Sequence, residues 1–197
     1  MKIKKLIKTK KGKSVPLLLI MFALIQGMTR CKSQRSLEML QRKTGGDYLP
    51  PEKYMAHVTK VVDGDTIDIL FMADIPPGCK TTERVRLIGI NCPELNEGKE
   101  KPAEYYAKDA LRFTNKELND QYVELQFDNI SEKRDRYGRI ICYVWVGKHL
   151  FNRILVERGF ARFYDKFKFN TQHMKTLAAA EKYALDNRLG LWESTRK

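Results

Sequence analysis

Residues 86–94 read Arg86-Leu87-Ile88-Gly89-Ile90-Asn91-Cys92-Pro93-Glu94. An alternating apolar run, opened by Arg84-Val85-Arg86-Leu87, closes on an amide, a thiol, a proline and a carboxylate. The alternation predicts a strand with one buried face. Pro93 disfavours helical geometry at Cys92, so the strand ends extended and Glu94 stands just beyond it. A turn, a thiolate metal site and the edge of an active site all fit these four residues. The flanking chain has to decide.

On the N-terminal side, "YMAHVTKVV" from Tyr54 and "TIDILFM" are β-rich runs separated by Asp63-Gly64-Asp65, a hairpin signal. "IPPGCKTTE" reads as a loop before the strand "RVRLIGI". On the C-terminal side, "PAEYYAKDALRFTNKEL" has helical spacing, with Tyr106, Ala110 and Phe113 on one stripe. "YVELQF" alternates, "SEKRDRYGR" is a charged loop, and "IICYVWV" is apolar enough for a central strand. "LFNRILVERG" predicts a short helix stopped by Gly159. "TQHMKTLAAAEKYALDN" predicts a last helix, capped by Thr171, with Met174, Leu177, Ala178 and Tyr183 inward and Gly190 ending it. Five short strands with late helices predict an α+β fold: a five-stranded barrel of the OB type with about three packed helices.

The 197 residues carry a formal net charge of +13. Lys2, Lys4, Lys5, Lys8, Lys10, Lys11, Lys13 and Arg30 place +8 of it before residue 31, leaving +5 for residues 31–197. The charge is thus mostly a property of the leader. "VPLLLIMFALIQGM", Val15 to Met28, follows those lysines as the core of an export signal or an uncleaved anchor. Residues 1–31 are expected to be a signal peptide or a membrane or lipid anchor, with Cys31 placed for lipidation although Arg30 stands where a small residue is wanted. Residues 32–52 read as a polar linker and 53–197 as the domain. The expected location is exported: secreted, or anchored on the outer side of a membrane, with the positive flank left behind. Cys31, Cys79, Cys92 and Cys142 match no zinc spacing, and buried or free thiols are expected.

Three clusters carry possible chemistry. Asp63-Gly64-Asp65-Thr66 is either a turn or a carboxylate site for a hard cation. The strand end holds Arg86 and Glu94. "DRYGRI" puts Arg139 after a glycine turn, and arginine's planar donors match phosphate oxygens. Each is weak alone. Their order, together with the closing "LGLW", resembles the staphylococcal nuclease (thermonuclease-like) family from about Tyr54 to Trp192.

The resemblance implies a calcium-dependent endonuclease of DNA and RNA that leaves 3′-phosphate products. It implies Asp65, Asn91 and the backbone carbonyl of Cys92 at the Ca²⁺ ion, Glu94 handling water, and Arg86 and Arg139 on the phosphate. Tyr137, Tyr164 and Phe167 would meet the nucleotide, and the substrate would be single-stranded or frayed nucleic acid taken by a monomer. Two departures stand out. Asn91 replaces a metal carboxylate with a neutral amide, and "FARFYDKFKF" alters a stacking pair of tyrosines, putting Asp165 and Phe167 in their places. The competing expectation is a catalytically weakened module that binds single-stranded nucleic acid without cleaving it.

Overall fold

The computed structural model describes residues 52–96, 98 and 101–193, together with a two-residue antiparallel pairing of Ile7–Lys8 with Ser14–Val15. The rest of the leader, Cys31 and the linker up to residue 51 lie outside the described residues. Among those described, no helix is long and apolar enough to cross a membrane.

Strand β1 spans Lys53–Asp63, β2 Thr66–Phe71 and β3 Thr82–Leu87. A two-residue β4, Ile90–Asn91, precedes helix α1, Ala107–Leu118. Strand β5 is Tyr122–Phe127, β6 Ile140–Val146 and β7 His149–Leu150. Helix α2, Phe151–Glu157, strand β8, Arg162–Phe163, and helix α3, Thr171–Asp186, complete the order before a 3₁₀ turn at Gly190–Trp192. The sheet runs β3-β2-β1-β5-β6-β7, and β3 also pairs with β6 in parallel, Val85 with Ile140 and Leu87 with Cys142. That pairing closes a five-stranded barrel. Register shifts in β1 between Val58 and Lys60 and between Val61 and Asp63 bend this long strand around it.

Alternation fills the barrel. Ile67, Ile69, Val85, Leu87, Leu125, Ile140 and Val144 point in and are buried. Outside, Arg84 forks onto its cross-strand partner Asp68, Nε to Oδ1 at 2.7 Å and Nη2 to Oδ2 at 2.9 Å. Strand β6 is central as its composition predicts, with β5, β7 and β3 all paired to it.

The structure corrects four local expectations. The run "RVRLIGI" is not one strand: it starts earlier, at Thr82, and breaks at Gly89, whose φ is +73°. A Cβ at Gly89 would meet Phe169 at 2.6 Å and Leu177 at 2.7 Å, so both the backbone angle and the space require glycine. Helix α1 starts only at Ala107, because Tyr106 is left-handed at φ 69°. Helix α3 is capped by Asn170 rather than Thr171, its side-chain oxygen accepting from the N–H groups of Gln172 and His173 at 2.9 and 3.3 Å. Its buried stripe is Leu177, Ala180 and Ala184, so Ala178 and Tyr183 face outward, and the helix ends at Asp186, ahead of Gly190.

Asp128 ties this last helix to the barrel. It accepts from Tyr143 Oη at 2.6 Å and from the backbone N–H groups of Asn170, Ile130 and Ser131 at 2.9, 2.8 and 2.8 Å. Burial raises its carboxyl pKa, but these four hydrogen bonds outweigh burial and leave it below the usual carboxylate range. A depressed carboxylate stabilises the fold above its unfolded pKa and loses that contribution as pH falls through the folded value. Asp128→Asn is expected to cost about 1–3 kcal/mol at neutral pH. Urea unfolding at pH 7 and pH 3 checks this: the gap between variant and wild type should shrink on the acid side.

Candidate active site

The hairpin Asp63-Gly64-Asp65 joins β1 to β2 with two turn residues. Gly64 is needed there for space, because a Cβ would lie 2.8 Å from Cys92 Sγ and 3.1 Å from Ala110 Cβ. Thr114 of α1 donates to the Gly64 carbonyl at 2.7 Å and fixes the hairpin from below. Asp65 is therefore carried on a rigid edge and is only 6% exposed.

A buried carboxylate needs partners, and Asp65 has three. The Cys92 N–H donates to Oδ2 at 2.7 Å, Arg86 Nη1 donates to Oδ2 at 3.0 Å, and Thr66 Oγ1 donates to Oδ1 at 3.1 Å. Arg86 also donates from Nη2 to Asn91 Oδ1 at 2.9 Å and from Nη1 to the Leu87 carbonyl at 3.0 Å. The side-chain oxygens of Asp65 and Asn91 thus converge on one cation, the Arg86 guanidinium. Asn91 is held by pairing with Arg162 across β4 and β8. Asn152, fully buried in α2, braces the preceding turn by donating to the Ile88 carbonyl at 2.9 Å and accepting from the Val144 N–H at 2.9 Å.

Arg139 arrives from the other side. The Asp135–Gly138 turn is closed by the Gly138 N–H on the Asp135 carbonyl at 3.0 Å, with Gly138 at φ 80°. Asp135 takes Arg139 Nε at 2.7 Å on Oδ2, and the backbone N–H groups of Tyr137 and Arg139 on Oδ1. Arg139 Nη1 reaches Thr66 Oγ1 at 3.4 Å. The Thr66 hydroxyl consequently links Asp65 to Arg139. The Tyr137 ring, 68% exposed, lies 5.4 Å from the Arg139 guanidinium.

Glu94 is exposed, at the end of the same strand segment. Its carbonyl accepts from the Glu104 N–H at 2.9 Å, and its N–H donates to Glu104 Oε2 at 3.1 Å. Asp63 feels the assembled charge. Burial pushes its carboxyl up to about 6, with Asp65 and Glu94 adding to the rise and the Gly64 N–H and Arg86 opposing it.

The sequence-predicted residues therefore fall in two groups. Asp65, Arg86, Asn91 and the Cys92 N–H meet directly, and Arg139 joins them through Thr66. Tyr164 and Phe167 instead meet each other, rings 5.8 Å apart, and Tyr164 is fixed by its N–H on the Gly89 carbonyl at 3.0 Å. Cys92 is 2% exposed, and burial pushes its thiol well above the usual range, which rules against a thiolate nucleophile. Cys79, Cys92 and Cys142 are free thiols, as expected. Sequence reasoning gave no separate role to Thr66, Asp63 or Glu104. The first two stood inside the acid hairpin motif; nothing in the pattern around Glu104 marked it.

A closed barrel whose edge gathers carboxylates and two arginines has groups that the hydrolysis of a phosphodiester bond can use. Residues 84–194 match the family model described as "Staphylococcal nuclease homologue". Over 144 residues the chain is 38% identical to the Thermonuclease of Staphylococcus intermedius, covering 72% of this chain and 77% of that protein. It is 34% identical to the Thermonuclease of Staphylococcus hyicus over 137 residues, 70% and 75% of the two chains. It is 28% identical to Endonuclease YncB of Bacillus subtilis over 160 residues, 79% and 70% of the two. The chain belongs to the staphylococcal nuclease homologue family, and it is a nuclease.

Proposed function

We propose that this nuclease hydrolyses single-stranded or frayed DNA and RNA in a Ca²⁺-dependent reaction and leaves 3′-phosphate ends. The observation that carries the reading is the convergence of Asp65 and Asn91 oxygens on one cation, with Arg139 coupled to the same carboxylate through Thr66. Those oxygens are hard donors of the kind Ca²⁺ takes. Among the described residues no three His, Cys, Asp or Glu side chains form a metal-holding group. The donor set that fits is mixed: the Asp65 carboxylate, the Asn91 amide oxygen and the Cys92 carbonyl. When bound, the ion supplies Lewis-acid stabilisation of phosphoryl charge.

The chain's own residues do the rest. Arg139, held by Asp135, offers its remaining donors to a phosphate. Arg86 spends three of its five N–H donors on Asp65, Asn91 and the Leu87 carbonyl, and its other donors can take a phosphate oxygen. Both arginines then act where charge develops, which favours the transition state over the ground state. Glu94, exposed and fixed at its backbone by Glu104, positions the attacking water and accepts its proton. The leader supports an exported enzyme, secreted or anchored on the outer side of a membrane, with Cys31 as the lipidation candidate.

The test is cleavage of a single-stranded oligonucleotide with Ca²⁺ and with chelator, followed by end-group analysis, in wild type and Glu94→Gln. Cleavage that persists in chelator, or 5′-phosphate ends, sinks the corresponding part of the reading. Glu94→Gln should lower the rate by about 10²–10⁴-fold.

A further inference from the structure

A column of aromatic rings runs from helix α2 across helix α1 to the residues just before it. Phe151 stacks on Phe113 at 6.0 Å and 4°, Phe113 on Phe160 at 4.4 Å and 13°, and Phe160 on Tyr106 at 5.6 Å and 30°. Tyr105 continues it, its ring 5.6 Å from Tyr106 at 46°, and it is 56% exposed. The left-handed backbone of Tyr106 is a conformation that bulky residues rarely adopt. Successive tyrosines consequently divide: Tyr106 packs on Phe160, and Tyr105 presents its ring to solvent.

The position is tied to the catalytic loop. Glu104, the residue before Tyr105, carries both hydrogen bonds to the Glu94 backbone. Exposed Lys101 and Lys108 flank the ring in sequence. On the other arm of the site, exposed Tyr137 stands beside Arg139. A strand whose phosphate sits between Glu94 and Arg139 would therefore pass one exposed tyrosine on each arm.

We propose that Tyr105 is a nucleobase-stacking position, holding an unpaired base beside the scissile phosphate on the Glu94 arm. The proposal rests on the nuclease reading. Every base has a π-face, and the Tyr105 ring, resting tilted against Tyr106, presents its own to solvent. A base inside a duplex has both faces covered and cannot be taken without being unstacked. The column thus selects unpaired substrate without reading its sequence.

The experiment compares wild type with Tyr105→Ala, Tyr105→Phe and Tyr105→Trp. Substrates are a single-stranded DNA oligonucleotide and a set in which one abasic site is moved through the positions flanking the cleaved bond. Binding is measured in chelator by fluorescence anisotropy and cleavage by KM and kcat. Tyr105→Ala should weaken binding and raise KM about 10- to 100-fold with kcat nearly unchanged. Tyr105→Phe and Tyr105→Trp should retain binding. One abasic position should reproduce the loss in wild type and add nothing to Tyr105→Ala. Binding and KM that ignore Tyr105→Ala, an equal loss on every abasic substrate, or a Tyr105→Phe as weak as Tyr105→Ala would each overturn the proposal. A chain that binds in chelator with this dependence yet never cleaves overturns the nuclease reading alone; a chain that cleaves and ignores Tyr105 overturns the stacking position alone.

Discussion

Arg139→Lys is expected to lower kcat on single-stranded DNA by about 10²–10⁴-fold while leaving thermal stability close to that of the wild type. The guanidinium divides its donors: Nε is bound to Asp135 at 2.7 Å, and Nη1 lies at 3.4 Å from Thr66, a weak bond that a phosphate oxygen can replace. A lysine keeps the charge but has one compact ammonium, which can reach Asp135 or the phosphate and lacks the planar fork for both. The fold barely depends on this residue, since the Asp135 turn is also closed by backbone bonds. Arg86→Ala should lose a comparable factor in rate and, unlike Arg139→Lys, about 3 kcal/mol of stability, because it strips a partner from the buried Asp65 carboxylate. Steady-state kinetics and urea unfolding on the same preparations separate the two. An Arg139→Lys enzyme within threefold of wild type would remove Arg139 from the phosphate clamp.

Asn91→Asp should lower the Ca²⁺ concentration giving half-maximal activity by about tenfold, since affinity at oxygen sites follows the number of charged ligands. The structure adds an opposing effect in the metal-free chain. Asp63 already has its carboxyl raised to about 6 by burial, Asp65 and Glu94 against Arg86, and a further carboxylate deepens that repulsion. Arg86 Nη2, now on the Asn91 oxygen, would offset part of it. Asn91→Asp is therefore expected to be less stable than wild type in chelator and to gain more from added Ca²⁺, by the usual linkage of ligand binding to unfolding. Thermal melts across a Ca²⁺ titration, run beside the activity titration, check both halves. Equal half-saturation in the two proteins would show that residue 91 does not face the ion.

The barrel was legible because its strands alternate and its turns carry Asp-Gly and Gly signals at the right places. Acid hairpin, arginine strand end and "DRYGR" loop were legible as separate motifs, and the structure joins them. What escaped was tertiary. The break at Gly89 is set by Phe169 and Leu177 packing over it, residues about 80 positions away that no local pattern shows. The cap of α3 moved one residue because Asn170 also hands its own N–H to Asp128, which fixes where the helix begins. The late start of α1 turns on Tyr106, whose helical spacing hid a left-handed backbone held in place by stacking on Phe160. Thr66 stood in the acid hairpin motif without a role of its own, and its bridging hydroxyl became visible only once β2, β3 and the 135–139 turn stood together.

The parallel pairing of β3 with β6 has a consequence for when activity can appear. It joins Val85–Leu87 to Ile140–Cys142 across more than fifty residues, and it is this late, non-local closure that brings the two arginine-bearing segments side by side. Local contacts form early and distant ones late. A growing or partly folded chain therefore holds its acid hairpin long before it holds a paired set of phosphate-binding arms. A chain cut before β6 lacks the strand that sets the two segments side by side and is expected to be inactive.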